Sequence, residues 1–128
     1  MNTCAEAKTN EYSVLNQDRG NRVADRIRVA GDSKMRRKGL LGATQMQEGD
    51  GLWIAPCEAV HTFGMTMPID VVFLDRSHRV RKMVCDLTPS RIAVCFAAFS
   101  VLEMQAGAIL ETGIQVGDQL EFQALAQV

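Results

Sequence analysis

Apolar and polar residues alternate along most of this chain with a period of two. Ile27 and Val29 alternate with Arg26 and Arg28, the pattern of a strand with one wet face. Gly49-Asp50-Gly51 reads as a turn, followed by a short buried strand at Leu52-Trp53-Ile54. Val71-Val72-Phe73-Leu74 is apolar on both faces. Asp75-Arg76-Ser77-His78 then forms a hairpin loop, with His78 as a solvent-exposed bystander at its tip. The returning strand over 79–87 puts Met83, Cys85 and Leu87 on one face and so assigns Cys85 to the core.

Residues 99–104 predict a further strand, and Ala108 to Thr112 a single helical turn closed by Gly113. Val116-Gly117-Asp118 turns into a last strand, where Leu120 and Phe122 alternate with Gln119 and Glu121. Asp118 caps that turn. The clearest helix signal is the Asp32-Ser33 N-cap ahead of 34–41. Long amphipathic helices are absent. The pattern predicts a mainly β fold: a distorted β-sandwich or open barrel of about six to eight short strands, with one short α-helix near residues 33–42. Residues 1–10 read as a flexible tail and 11–128 as a single domain.

Composition narrows the class. A chain of 128 residues, 47% hydrophobic and 23% charged, is neither collagen, coiled coil nor long disorder. The longest nearly apolar run, 92–102, falls short of the roughly 18 residues of a membrane helix. Net charge is −1. Residues 1–50 hold nine Lys/Arg against seven Asp/Glu, and 51–128 hold five against eight. The basic cluster Lys34, Arg36, Arg37 and Lys38 reads as a solvated helix face. With five Phe, one Tyr and one Trp, mostly in core patterns, there is no stacking platform, which argues against nucleic acid as a partner. Oligomeric state is left open. The N-terminal residues lack the apolar stretch of a secretory signal, so a cytoplasmic location is expected. Cys4, Cys57, Cys85 and Cys95 are too scattered for a disulfide framework and are expected as thiols or metal ligands.

Candidate chemistry concentrates in residues 56–70, a shaped loop between hydrophobic strands that contains Cys57, His61, Met65 and Asp70. Cys95 and Glu103 join the set from elsewhere in the sequence. Three chemistries compete for it. Cys57, His61 and Cys95 are candidate zinc ligands, with Glu103 or Asp70 as the fourth; thiolate and imidazole suit that metal, although no C-x₂-C pair is present. Alternatively Cys57 is a nucleophile, His61 its base, and Asp70 or Glu103 the orienting group. In the third reading Cys57 and Cys95 form a disulfide or redox pair. Against these stand plain structural roles: cysteines as small apolar side chains, a satisfied core His61, Asp70 as a turn cap. Glu103 falls on the apolar side of a strand, where a buried carboxylate needs a partner such as His61, Arg37 or a backbone amide.

Several short pieces, in order, resemble the domain of unknown function 192 family of small prokaryotic proteins. They are Arg37-Lys38-Gly39-Leu40-Leu41, Met67-Pro68-Ile69-Asp70-Val71-Val72-Phe73-Leu74-Asp75, Val101-Leu102-Glu103 with Ala106-Gly107, and Gly113-Ile114 followed by Gly117-Asp118. The resemblance implies a mainly β fold with a small helix and supplies no established activity. It also implies that many relatives are exported. Many members carry an aromatic-Met-Lys-Asn-Thr run where this chain has His61-Thr62-Phe63-Gly64-Met65, so a role for that Lys and Asn does not carry over.

The leading functional reading is a small non-enzymatic binding module, its polar pocket edged by the loop 57–70 and Glu103. Ligand-binding candidates are Cys57, His61, Met65, Asp70, Cys95 and Glu103. A cysteine- or zinc-dependent enzyme at the same place is the second reading, and a scaffold without a pocket the third. Zinc is the one cofactor these residues suggest.

Overall fold

The computed structural model describes residues 11–30 and 49–126. The helix expected near 33–42, the tail 1–10, Cys4 and the Arg37 to Leu41 motif lie outside the described residues. Nine strands form among the described residues: β1 (Glu11–Asn16), β2 (Asn21–Ala30), β3 (Asp50–Ile54), β4 (Ala59–His61), β5 (Ile69–Leu74), β6 (Val80–Leu87), β7 (Ile92–Val94), β8 (Ser100–Gln105) and β9 (Leu120–Ala124). A single-turn helix, α1 (Ala108–Thr112), precedes β9. Among the described residues, no helix is long and apolar enough to cross a membrane.

Seven strands make one sheet in the order β6-β5-β8-β3-β2-β1-β9, and β4 pairs with β7 in a second, two-stranded sheet. Among the described strands, only the pair β2 and β3 runs parallel. The large sheet curls until its edges meet at one end, where Arg79 pairs with Gln119. There the Val80 amide donates to the Asp118 carbonyl at 2.9 Å and the Leu120 amide to the His78 carbonyl at 3.0 Å. The mainly β fold expected from the pattern is thus a curled half-barrel.

The sheet buries both faces. On one, Leu52, Ile54, Ile69, Val71, Phe73 and Val101 pack under Val60 of β4 and Ala93 of β7. On the other, Val14, Ile27, Val72, Leu74, Leu102 and Met104 surround Ile109 of α1 and Ile114. This explains why β5 reads as a continuous apolar run: its odd positions serve one cluster and its even positions the other. Each fully buried Val, Leu or Phe there contributes roughly 1.5–3 kcal/mol of transfer free energy.

Polar residues close the loops. Thr62, fully buried, accepts the Arg91 amide at 2.9 Å and donates to the Thr88 carbonyl at 2.7 Å, fixing the segment between β4 and β5. Asp118 does more than cap its turn. Its carboxylate accepts the Gln115 amide at 2.9 Å, the Asn16 side-chain amide at 2.8 Å and Arg19 Nε at 2.6 Å. Desolvation opposes its charged form, but the bonds from Arg19, Asn16 and the Gln115 amide outweigh it and hold its pKa low.

Two expectations need correction. Cys85 is exposed, not in the core. Between the pairs Ile69–Leu87 and Val71–Val84, β6 spends one residue more than β5, and Asp86 takes a positive φ of 56°. That bulge reverses the alternation, so Cys85 leaves the face that Leu87 keeps. His78, in turn, is no exposed bystander. It is half-buried, with its ring 5.2 Å from that of Trp53 and 4.8 Å from that of Phe122.

Candidate functional site

A groove of about 800 Å³ has three walls, residues 56–58, 75–77 and 96–99. Backbone bonds through Phe99 join them. Its carbonyl accepts the Cys57 amide at 2.8 Å, and its amide donates to the Leu74 carbonyl at 2.8 Å, at the root of the hairpin. The Cys95 amide donates to the Glu58 carbonyl, also at 2.8 Å, so the third wall is tied to the first. The hairpin wall is set by Asp75, whose Oδ1 accepts the amides of Ser77 at 2.9 Å and Arg79 at 3.0 Å. Desolvation works against the Asp75 carboxylate. The amides of Arg79 and Ser77 and the charges of Arg81 and Arg79 prevail, leaving it ionised.

The groove mixes apolar and charged surface. Phe96 stands 83% exposed at the rim. The Arg76 guanidinium lies 4.2 Å from the centroid of the Phe99 ring, within cation–π range. Arg81 Nη1 sits 3.7 Å from Asp75 Oδ2. Among the described residues, neither Arg76 nor Glu58 forms an ion pair.

Of the six candidates from the sequence, Cys57 alone lines this groove. Its Sγ donates to the Ala59 carbonyl at 3.1 Å. Cys95 packs against the same apolar cluster as Cys57, and both side chains are half-buried thiols. His61 is at the other end of the β4–β7 ladder, paired with Ile92 and stacked on Phe63 at 5.2 Å between centroids. Three strand rises, roughly 10 Å, separate it from the Cys95 end. Met65 is a core side chain under the small sheet. Glu103 is 2% exposed, in register between Leu52 and Val71 on the face that β4 and β7 cover.

Asp70 belongs to the opposite face. Its carboxylate accepts three backbone amides, those of Asp86 at 2.8 Å, Gly107 at 3.1 Å and Ile109 at 2.8 Å. The sheet therefore stands between Asp70 and Glu103, and the two do not share a pocket. No group of three or more His, Cys, Asp or Glu that could hold a metal occurs among the described residues. The expected three-ligand set is not assembled, because His61 and Cys95 diverge along the ladder. Sequence reading missed Arg76, Phe96 and Phe99 because the groove draws on three separated segments with no common spacing. The exposure of Phe96 marks the groove only in the folded chain.

A match to the DUF192 family, described as "Uncharacterized ACR", spans residues 14–122. The chain belongs to this family. No curated protein matches it. Two solved structures share its fold. A candidate transcription regulator from Sinorhizobium meliloti 1021 aligns with a TM-score of 0.77 at 22% identity, covering 91% of this chain and 97% of the other. A protein of unknown function from Novosphingobium aromaticivorans DSM 12444 aligns with a TM-score of 0.74, also at 22% identity, covering 94% and 98%. For this DUF192 member, likeness at that level of identity carries the fold and nothing about activity.

Proposed function

We propose that this DUF192 protein is a small binding module whose ligand sits in the groove bounded by residues 56–58, 75–77 and 96–99. The observation that carries the reading is the groove itself: about 800 Å³, with walls fixed to one another by backbone bonds. Binding sites are concave, mostly pre-formed, and combine apolar surface with a few placed polar groups. Phe96, Phe99 and Pro56 supply the first, Arg76 and Glu58 the second. The polar pocket moves accordingly: Cys57 stays in it, while Glu103 and Asp70 serve the two buried faces. Screening the ¹⁵N-labelled protein against a mixture of small organic fragments tests this. Amide shifts clustered at 57–58, 75–77 and 96–99 are the expected result; shifts scattered over the surface, or none, reject it.

A further inference from the structure

We propose that the groove takes the carboxyl-terminal end of a peptide, with the terminal carboxylate on Arg76 and an apolar last side chain against Phe96 and Phe99; this rests on the binding reading above. Charge is the first argument. Asp75 is satisfied by the Ser77 and Arg79 amides and faces Arg81, so the hairpin carboxylate leaves no demand on a ligand. What remains is one cation and one anion, Arg76 and Glu58, on different walls. Arg76 makes no ion pair or hydrogen bond from its guanidinium among the described residues; its contact is the Phe99 ring, which uses none of its N–H donors as an ion-pair partner would. A guanidinium held this way is prepared for a planar, singly charged oxyanion, which it binds in a fork.

The surroundings select a carboxylate over a phosphate. A dianion would meet a single guanidinium with Glu58 lining the same groove, whereas a monoanion is matched by Arg76 alone. Glu58 then remains to accept N–H groups, which a peptide backbone supplies and a fatty acid does not. The third argument is apolar. Phe96 is 83% exposed, and with Phe99, Ala98 and Pro56 it offers the kind of surface on which one terminal side chain is buried.

The test uses the intact chain and two probes, acetyl-Ala-Ala-Phe with a free carboxyl terminus and the same peptide as its carboxamide, each titrated by NMR. The acid is expected to shift the amides at 57–58, 75–77 and 96–99 and to bind roughly tenfold tighter than the amide, the scale of one charge-assisted pair. Arg76→Gln should remove that difference and Arg76→Lys restore part of it; both are surface changes that leave the fold intact. Inorganic phosphate should compete poorly. Equal affinity for acid and amide at the groove would overturn the carboxylate assignment while leaving the binding module standing. Phosphate shifting the same amides more strongly than the acid would also overturn it. If neither peptide shifts these amides, the inference fails, and the fragment screen alone then decides the broader reading.

Discussion

The Asp70 carboxylate on β5 accepts the backbone amide of Ile109 at 2.8 Å, and so a central strand holds the only helix among the described residues. The same carboxylate takes the Gly107 amide and, across the next strand, the amide of Asp86 at the β6 bulge. With a residue exposure of 1%, it stands where water cannot substitute.

Asp70→Ala is therefore expected to leave three backbone amides without their acceptor and to cost about 3 kcal/mol of stability. Asp70→Asn, which keeps one good acceptor oxygen, should cost about half as much. Urea denaturation midpoints check both. If the alanine variant loses under about 1 kcal/mol, the carboxylate is not what holds α1 to the sheet.

Gly51 is required by close approach. A Cβ there would lie 2.7 Å from the backbone carbonyl oxygen of Glu103 and 3.0 Å from Ile27 Cγ2. A carbonyl in the β3–β8 ladder cannot step aside as a flexible side chain can. Gly51→Ala should destabilise the protein by about 1–3 kcal/mol, as overpacking does. Thermal unfolding at fixed pH measures this, and an unchanged midpoint would refute it.

His78 sets a pH dependence. Burial against Trp53 and Phe122 pushes its pKa below the ordinary 6.5, with the Asp75 charge opposing in part. The folded state thus binds this proton more weakly than the unfolded chain. Its contribution is complete above pH 6.5 and is lost as pH falls from there towards the folded pKa. A ¹H–¹³C titration of the imidazole should show a midpoint under 6.5. His78→Asn, which tolerates the positive φ of 68° at this position, should make the urea midpoint less sensitive to pH between 7 and 5. An imidazole midpoint at or above 6.5 contradicts the burial argument.

Cys85 joins exposure with low reactivity. Partial desolvation, and then the charges of Asp70 and Asp86, raise its thiol pKa. Iodoacetamide at pH 7.5 should modify it more slowly than it modifies glutathione, with the rate still climbing above pH 9. Site-resolved mass spectrometry reads the rate. Asp86→Asn should speed the reaction, and a Cys85 that matches glutathione at pH 7.5 would show that these charges do not reach it.

Apolar runs were enough to locate β5 and β8, which are buried on both faces, and alternation located β9 and β6, although the β6 bulge then put Cys85 on the wrong face. The helical turn at Ala108–Thr112 was legible too, from the Gly113 that ends it at φ 74° and donates its amide to the Ile109 carbonyl. Elements outside that reading had specific causes. β4 and β7 are three residues each, too short for a period. β1 carries two register irregularities against β2, which bury Ser13 and Val14 in succession and blur the pattern. The burial of Glu103 was readable from its place beside Val101; which side of the sheet Asp70 occupies was not, since only pairing with Met104 fixes it. The groove was least legible. Its residues meet through Phe99's two backbone bonds, and pairings between distant segments leave no trace in local spacing.

The last strand joins the half-barrel late in the life of the nascent chain. β9 pairs with β1, and the buried bond from Asn16 to Asp118 spans 102 positions of sequence. Until β9 has left the ribosome, β1 presents an unpaired edge and the Asn16 side chain lacks its acceptor. Contacts this far apart place the protein among the slower-folding small domains, on the order of milliseconds to seconds. During that interval the β1 edge is a surface that a chaperone can cover or a second nascent chain can capture.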